Sequence, residues 1–209
     1  MEDITLYMWA TPNSRRASIM LEELDLEYEV RAINIRAGEQ HDPEIVALNP
    51  FGKLPIVVWH EAGAHRVLFE SGAILTSLAE RSGQFLPAPR NERDDVMAWL
   101  MVALTSLGPL TGQAHHWSAL AAEKSTVALG HHVSLVERVY RLLDRRLKER
   151  RFLAGEYSIA DIAAHPWIGV SDWTTLDLSD YPNLERWFER VGSRPAVARG
   201  MALPNIAEL

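Results

Sequence analysis

The chain has 209 residues, 47% of them apolar and 23% charged, enough to bury a core in one large domain or two small ones. A formal net charge of −7 argues against general affinity for nucleic acid or anionic lipid, and no run of like charges offers a binding tail. With no cysteine, the chain has no disulfide, no cysteine-ligated metal and no thiol nucleophile of its own.

The start, Met1-Glu2-Asp3-Ile4-Thr5, lacks the basic-then-apolar layout of a secretory signal. No stretch approaches the roughly 20 apolar residues of a membrane span, so the expectation is a cytoplasmic protein with no membrane partner. The first eighty residues read as strands alternating with helices. Ile4, Leu6 and Met8 alternate as in a strand, Thr11-Pro12-Asn13-Ser14 breaks it, and Asn13 or Ser14 is placed to cap a helix carrying Ala17, Met20, Leu21 and Leu24. Tyr28, Val30 and Ala32 restore a strand, and a short helix is expected near Pro43 to Leu48. Pro55 to Trp59 reads as a third strand, Ala62-Gly63 as a hairpin turn into Val67-Leu68, and Glu70-Ser71 as the start of a helix with Ile74, Leu75 and Leu78 inside. This order describes a compact three-layer α/β module.

Gly83 to Asn91, with Gly83, Pro87 and Pro89, reads as a linker, and no convincing strand follows it. The stripe Leu129, Val133, Val136, Tyr140, Leu143 and Leu147 marks a long amphipathic helix. Ser158 and Asp161 form a capping box for a later helix, with Tyr157 placed to staple onto Ile162 and Pro166 placed to kink it. The expected boundaries are 1–82 for the α/β domain, 83–91 for the linker and 92–209 for an all-helical domain.

The motifs then fall in a familiar order. Thr11-Pro12-Asn13 lies between the first strand and helix, Asn49-Pro50-Phe51-Gly52-Lys53-Leu54-Pro55 precedes the third strand, and Phe69-Glu70-Ser71 opens the third helix. With the box at Ser158 and the segment Leu107-Gly108-Pro109-Leu110-Thr111-Gly112-Gln113-Ala114-His115-His116-Trp117, the chain resembles the cytosolic glutathione transferases, in particular the bacterial Nu class, over nearly its whole length. The resemblance implies a thioredoxin-like N-terminal domain, an all-α C-terminal domain, a cis Leu54-Pro55 bond and a homodimer. It implies glutathione as co-substrate, one or two molecules or the oxidised form.

The site that this resemblance implies uses Leu54 and Pro55 as a strand edge for the cysteinyl part of glutathione, Glu70 and Ser71 for its γ-glutamyl end, and Gln40 and Lys53 for its glycyl end. Gln40 and Lys53 also fit solvated loop residues, and Ser71 or Glu70 a plain cap. Because only the thiolate attacks, a catalytic role falls on donors at the first helix start: Thr11 and Asn13, with Ser14 as runner-up. Tyr7, inside the strand, reads as packing. Two reactions are open to such a thiolate: exchange with a small-molecule disulfide, ranked first, or attack on an electrophilic carbon. A non-catalytic binding protein of the same fold is the alternative.

Trp9 and Trp117 are candidates for a second-substrate pocket, and Phe51 for a contact with a second subunit or for a place in its own domain. His131 and His132 stand where relatives are expected to offer a basic residue across the dimer. Adjacent pairs such as His115-His116 and His131-His132 point about 100° apart on a helix and make no two-ligand face, so no metal is expected.

Overall fold

A computed structural model describes residues 3–61 and 64–205; the expected turn at Ala62-Gly63 lies outside the described residues. The chain divides into two compact units, the first running to Ser82 and including the segment from Arg194 onward, the second spanning Gly83–Ser193.

In the first unit, strands β1 (Asp3–Met8), β2 (Glu29–Ala32), β3 (Ile56–Glu61) and β4 (Ala64–Phe69) form one sheet in the order β2-β1-β3-β4. Strand β2 runs parallel to β1, while β3 and β4 are antiparallel to their neighbours, with Leu6 opposite Val30 on one side and Val57 on the other. Helices α1 (Pro12–Glu23), α2 (Pro43–Leu48) and α3 (Ser71–Ser82) complete the module. Every residue of β1 from Ile4 to Met8 is buried, so the strand is covered on both faces rather than half-exposed. On one face Tyr7 packs with Ile45 of α2, Ile56 and Val58. The alternate residues of β1 point to the opposite face. The packing role read for Tyr7 is what the core cluster shows.

The second unit holds α4 (Arg90–Val102), α5 (Gly108–His115), α6 (Thr126–Leu147), α7 (Ile159–Ile168) and α8 (Pro182–Gly192), and the β pairing among its described residues is limited to two isolated bridges near Gly155. Helices α4 and α5 join through a π turn at Ala103–Leu107, and a second π turn follows at His116–Leu120. This run, Arg90–Leu120, is long and apolar enough by composition to cross a membrane, contrary to the count of apolar residues in the sequence. Core helices pass the same test. Here Val96, Leu100, Ala103, Leu107, Thr111 and Ala114 recur three and four residues apart as its buried stripe.

The capping box is present as expected. Asp161 accepts from the backbone N–H and the hydroxyl of Ser158, and it also accepts from Leu153 N at 3.0 Å and Trp187 Nε1 at 2.8 Å. One carboxylate thus ties α7 to the preceding loop and to α8. Tyr157 packs edge-on against Phe85 and tilted against Phe152.

Helix α9 (Pro195–Ala202) groups with the first unit and lies on α1. Arg194 makes a paired ion bond to Glu23 at 2.6 and 2.7 Å, and Ser18 Oγ donates to Gly200 O at 2.7 Å. A helical pattern does not by itself name the surface that will cover a helix.

Candidate active site

The turn after β1 is built by two hydroxyls. Thr11, not Asn13 or Ser14, is the N-cap of α1: its Oγ1 accepts from Ser14 N at 3.3 Å and donates to Ser14 Oγ at 3.2 Å. Ser14 Oγ also accepts from Trp9 N at 3.4 Å, and Ser14 is fully buried. Thr11 wins the cap because its extended backbone aims the hydroxyl back over the first turn, while Pro12 takes the first helical position without an N–H to satisfy.

Asn13 and Arg16 lie three residues apart on one face of α1. Arg16 is 3% exposed, and one of its nitrogens, Nη1, donates to Asn13 Oδ1 at 2.8 Å and to Ser71 Oγ at 3.2 Å. Burial pushes the Arg16 pKa down to about 9, opposed by the charge of Glu70. Glu70, which is exposed, holds a left-handed backbone, φ +69°, immediately before Ser71 at the first position of α3. A non-glycine residue in that region carries strain of order 1 kcal/mol, typical of ligand-contacting positions.

The loop before β3 is fastened from within. Asn49, 1% exposed, donates from Nδ2 to Lys53 O at 2.7 Å and accepts from Phe51 N at 3.1 Å. Gly52 has φ +60°, where a side chain is strained, and a Cβ there would lie 3.1 Å from His41 Nδ1 and 3.3 Å from Gln40 O, a tight fit against the segment behind the loop. The Leu54-Pro55 bond is cis.

These pieces enclose a cleft of about 270 Å³ lined by Asn13, Asn49, Phe51, Lys53, Leu54, Pro55, Glu70 and Ser71. Six of the eight residues singled out from the sequence therefore meet in one place. Thr11 and Gln40 are not among the lining residues: Thr11 caps the helix, and the Gln40 amide lies 3.2 Å from His41 Nε2. Trp9 is buried in the core of the unit, and the exposed ring of Phe51 stands at the cleft edge with Lys53 Nζ 5.6 Å from its centre. The cleft offers a carboxylate, an ammonium, a hydroxyl at a helix start and a side-chain amide, a set matched to a small zwitterionic peptide. No group of three His, Asp, Glu or Cys suited to a metal occurs among the described residues.

Comparison with known proteins gives this cleft its context. Residues 2–80 match the model for the N-terminal domain of glutathione S-transferases, and residues 109–195 match the model for the C-terminal domain. The chain belongs to the glutathione S-transferase family. It is 38% identical to the disulfide-bond oxidoreductase YfcG of Escherichia coli, covering 98% of this chain and 97% of that protein. It is 36% identical to the disulfide-bond oxidoreductase YghU of the same organism, covering 94% and 73%. A glutathione transferase from Burkholderia graminis, crystallised with two glutathione molecules per subunit, superposes with a TM-score of 0.90 at 33% identity over 98% of this chain and 90% of the other. One from Pseudomonas putida, with one glutathione disulfide per subunit, gives 0.90 at 34% identity, covering 97% and 92%.

Two residues of this site, Arg16 and Asn49, have no role that the sequence motifs assign. Asn49 carried a signal, since Asn at the head of an Asn-Pro-Phe-Gly turn commonly bonds its own backbone two residues on. Arg16 carried only its spacing from Asn13; Ser71, a second partner, is 55 residues away. In the second unit, the motif around Gly108 has a packing role. Cβ atoms at Gly108 and Gly112 would meet the Trp167 indole at 3.1 and 3.6 Å, and His115 stacks on Trp173 at 3.9 Å. His132 is held by its own helix, with Nδ1 2.8 Å from Ala128 O.

Proposed function

We propose that this transferase binds glutathione in the cleft at the start of α1 and uses its thiolate to reduce small-molecule disulfides. The observation that carries the reading is the convergence of Asn13, Lys53, Leu54, Pro55, Glu70 and Ser71 on one cleft in a chain without cysteine. Glu70 suits the ligand's ammonium, Ser71 and the α3 N-terminus its γ-glutamyl carboxylate, Leu54 its peptide backbone, and Lys53 its glycyl carboxylate. Gln40, behind the loop, is assigned to the glycyl end through a longer reach. Asn13, which lines the cleft at the α1 start, is assigned as the donor to the thiolate, and Thr11 serves it by fixing the helix start whose N–H groups favour an anion.

The reaction balances without any protein thiol. A glutathione thiolate attacks one sulfur of the disulfide, the sulfur–sulfur bond breaks, and the departing thiolate takes a proton. A second glutathione attacks the mixed disulfide, releasing the second thiol and glutathione disulfide. The names of the two Escherichia coli relatives and the glutathione disulfide held by the Pseudomonas putida protein favour this over thioether formation. We place the protein in the cytoplasm as a homodimer, with the 68%-exposed Phe51 offered to the second copy.

The test is glutathione-dependent reduction of hydroxyethyl disulfide, followed through coupled glutathione reductase. Turnover well above the uncatalysed rate supports the reading. Binding without turnover moves the function to conjugation of an electrophile or to a non-catalytic binding role.

A further inference from the structure

The guanidinium of Arg16 touches two residues of the cleft, Asn13 and Ser71. It is buried, it does not line the cleft, and its Nη1 has two hydrogens and two acceptors, Asn13 Oδ1 at 2.8 Å and Ser71 Oγ at 3.2 Å. Arginine donates and never accepts. The Asn13 atom facing it must therefore be the carbonyl oxygen, and the amide nitrogen lies on the other side of the side chain. Ser71 must likewise present a lone pair to Arg16, which leaves its hydroxyl proton to point elsewhere. Without Arg16, either side chain could turn an acceptor toward the cleft, where it would repel an anion.

We propose that Arg16 is a positioning residue that fixes the hydrogen-bond polarity of the cleft, making Asn13 and Ser71 donors toward the thiolate and the γ-glutamyl carboxylate of glutathione. This rests on the cleft being the glutathione site. The buried cation has a second effect of the same sign, since a positive charge behind two donors favours anionic forms in front of them. Glu70 and Lys53, the charged residues lining the cleft, set the background against which that effect acts. The Glu70 charge also keeps Arg16 ionised against the pull of burial.

Two readings of Arg16→Met and Arg16→Lys test the proposal. The first needs no ligand: the side-chain amide signals of Asn13, identified as those lost in Asn13→Ala, are followed by NMR in the folded protein. The proposal expects them to shift or broaden in Arg16→Met and to stay near their original positions in Arg16→Lys, which keeps a donor-only cation. The second is the pH profile of thiolate absorbance of bound glutathione. The thiol pKa should rise by about one unit in Arg16→Met, close to tenfold less thiolate below it, with Arg16→Lys restoring most of the loss. Should Arg16→Met not fold, Arg16→Lys alone still decides: a signal pattern and profile equal to the parent's agree with the proposal, whereas scrambled amide signals overturn it. A folded Arg16→Met with unchanged amide signals and an unchanged profile overturns it, whatever happens to thermal stability. Failure of the parent protein to bind glutathione would instead sink the assignment of the cleft, and the ligand-free amide signals would still judge the polarity.

Discussion

Gly200 lies so close to Ile19 that a Cβ at Gly200 would stand 2.6 Å from both the amide nitrogen and the Cα of Ile19. The near neighbour is backbone, which cannot swing aside, so the approach of α9 to α1 requires the missing side chain. The same contact places Gly200 O where Ser18 donates to it. Because α1 carries Asn13 and Arg16 at its other end, the packing of the last helix bears on the site.

Gly200→Ala should therefore destabilise the protein by about 2 kcal/mol, within the usual range for overpacking a tight contact. Urea denaturation at neutral pH measures this, and a loss of glutathione affinity should accompany it as α1 shifts. A variant as stable as the parent would mean that α9 can move away at no cost.

Asn13→Ala removes the donor assigned to the thiolate. Turnover with hydroxyethyl disulfide should fall about a hundredfold, in line with the loss of one donor to a developing or resident anion, while glutathione binding weakens only a few-fold. Retained turnover would show that Asn13 is not the thiolate's donor and would move that role to the backbone N–H groups at the α1 start.

The left-handed backbone of Glu70 separates stability from function. Glu70→Gly relieves backbone strain, so its melting temperature should equal or exceed the parent's, although glycine gives back part of that gain as chain entropy. Glutathione affinity should fall about tenfold or more with the lost carboxylate, readable by calorimetry. Strong binding by this variant would show that Glu70 does not meet the ligand's ammonium.

Helix α7 buries two titratable groups with opposite consequences. Burial lowers the pKa of His165, stacked on Phe188 at 4.5 Å, from 6.5 to about 4. The unfolded chain then binds the proton first, so His165's contribution is intact above pH 6.5 and is lost as pH falls toward 4. Burial raises the pKa of Asp161 from 3.8 to about 6 against four hydrogen bonds, so its contribution is intact below pH 3.8 and is lost as pH rises toward 6. The two slopes oppose each other across that window. In His165→Leu the stability difference from the parent should change by roughly 3 kcal/mol between pH 8 and pH 4, in favour of the variant in acid. A difference independent of pH would mean that His165 takes up its proton equally in the folded and unfolded chains.

What the sequence determined by itself was everything written in short windows. Alternation in Ile4, Leu6 and Met8, the break at Thr11-Pro12-Asn13, the turn from Asn49 to Gly52 and the box at Ser158 and Asp161 are each complete within a few residues, because strand period, cap and turn are local constraints on the backbone. The order of those motifs was enough to indicate the family and to name six residues of the cleft. The tertiary structure alone decided what needed distant partners. Arg16 finds Ser71 across 55 residues and Ser18 finds Gly200 across 182, and no period or propensity encodes which buried donor meets which acceptor. The assignment of Thr11 rather than Asn13 to the cap was local, yet it too depended on the chain's path, since the hydroxyl that caps is the one whose backbone is extended when the helix begins.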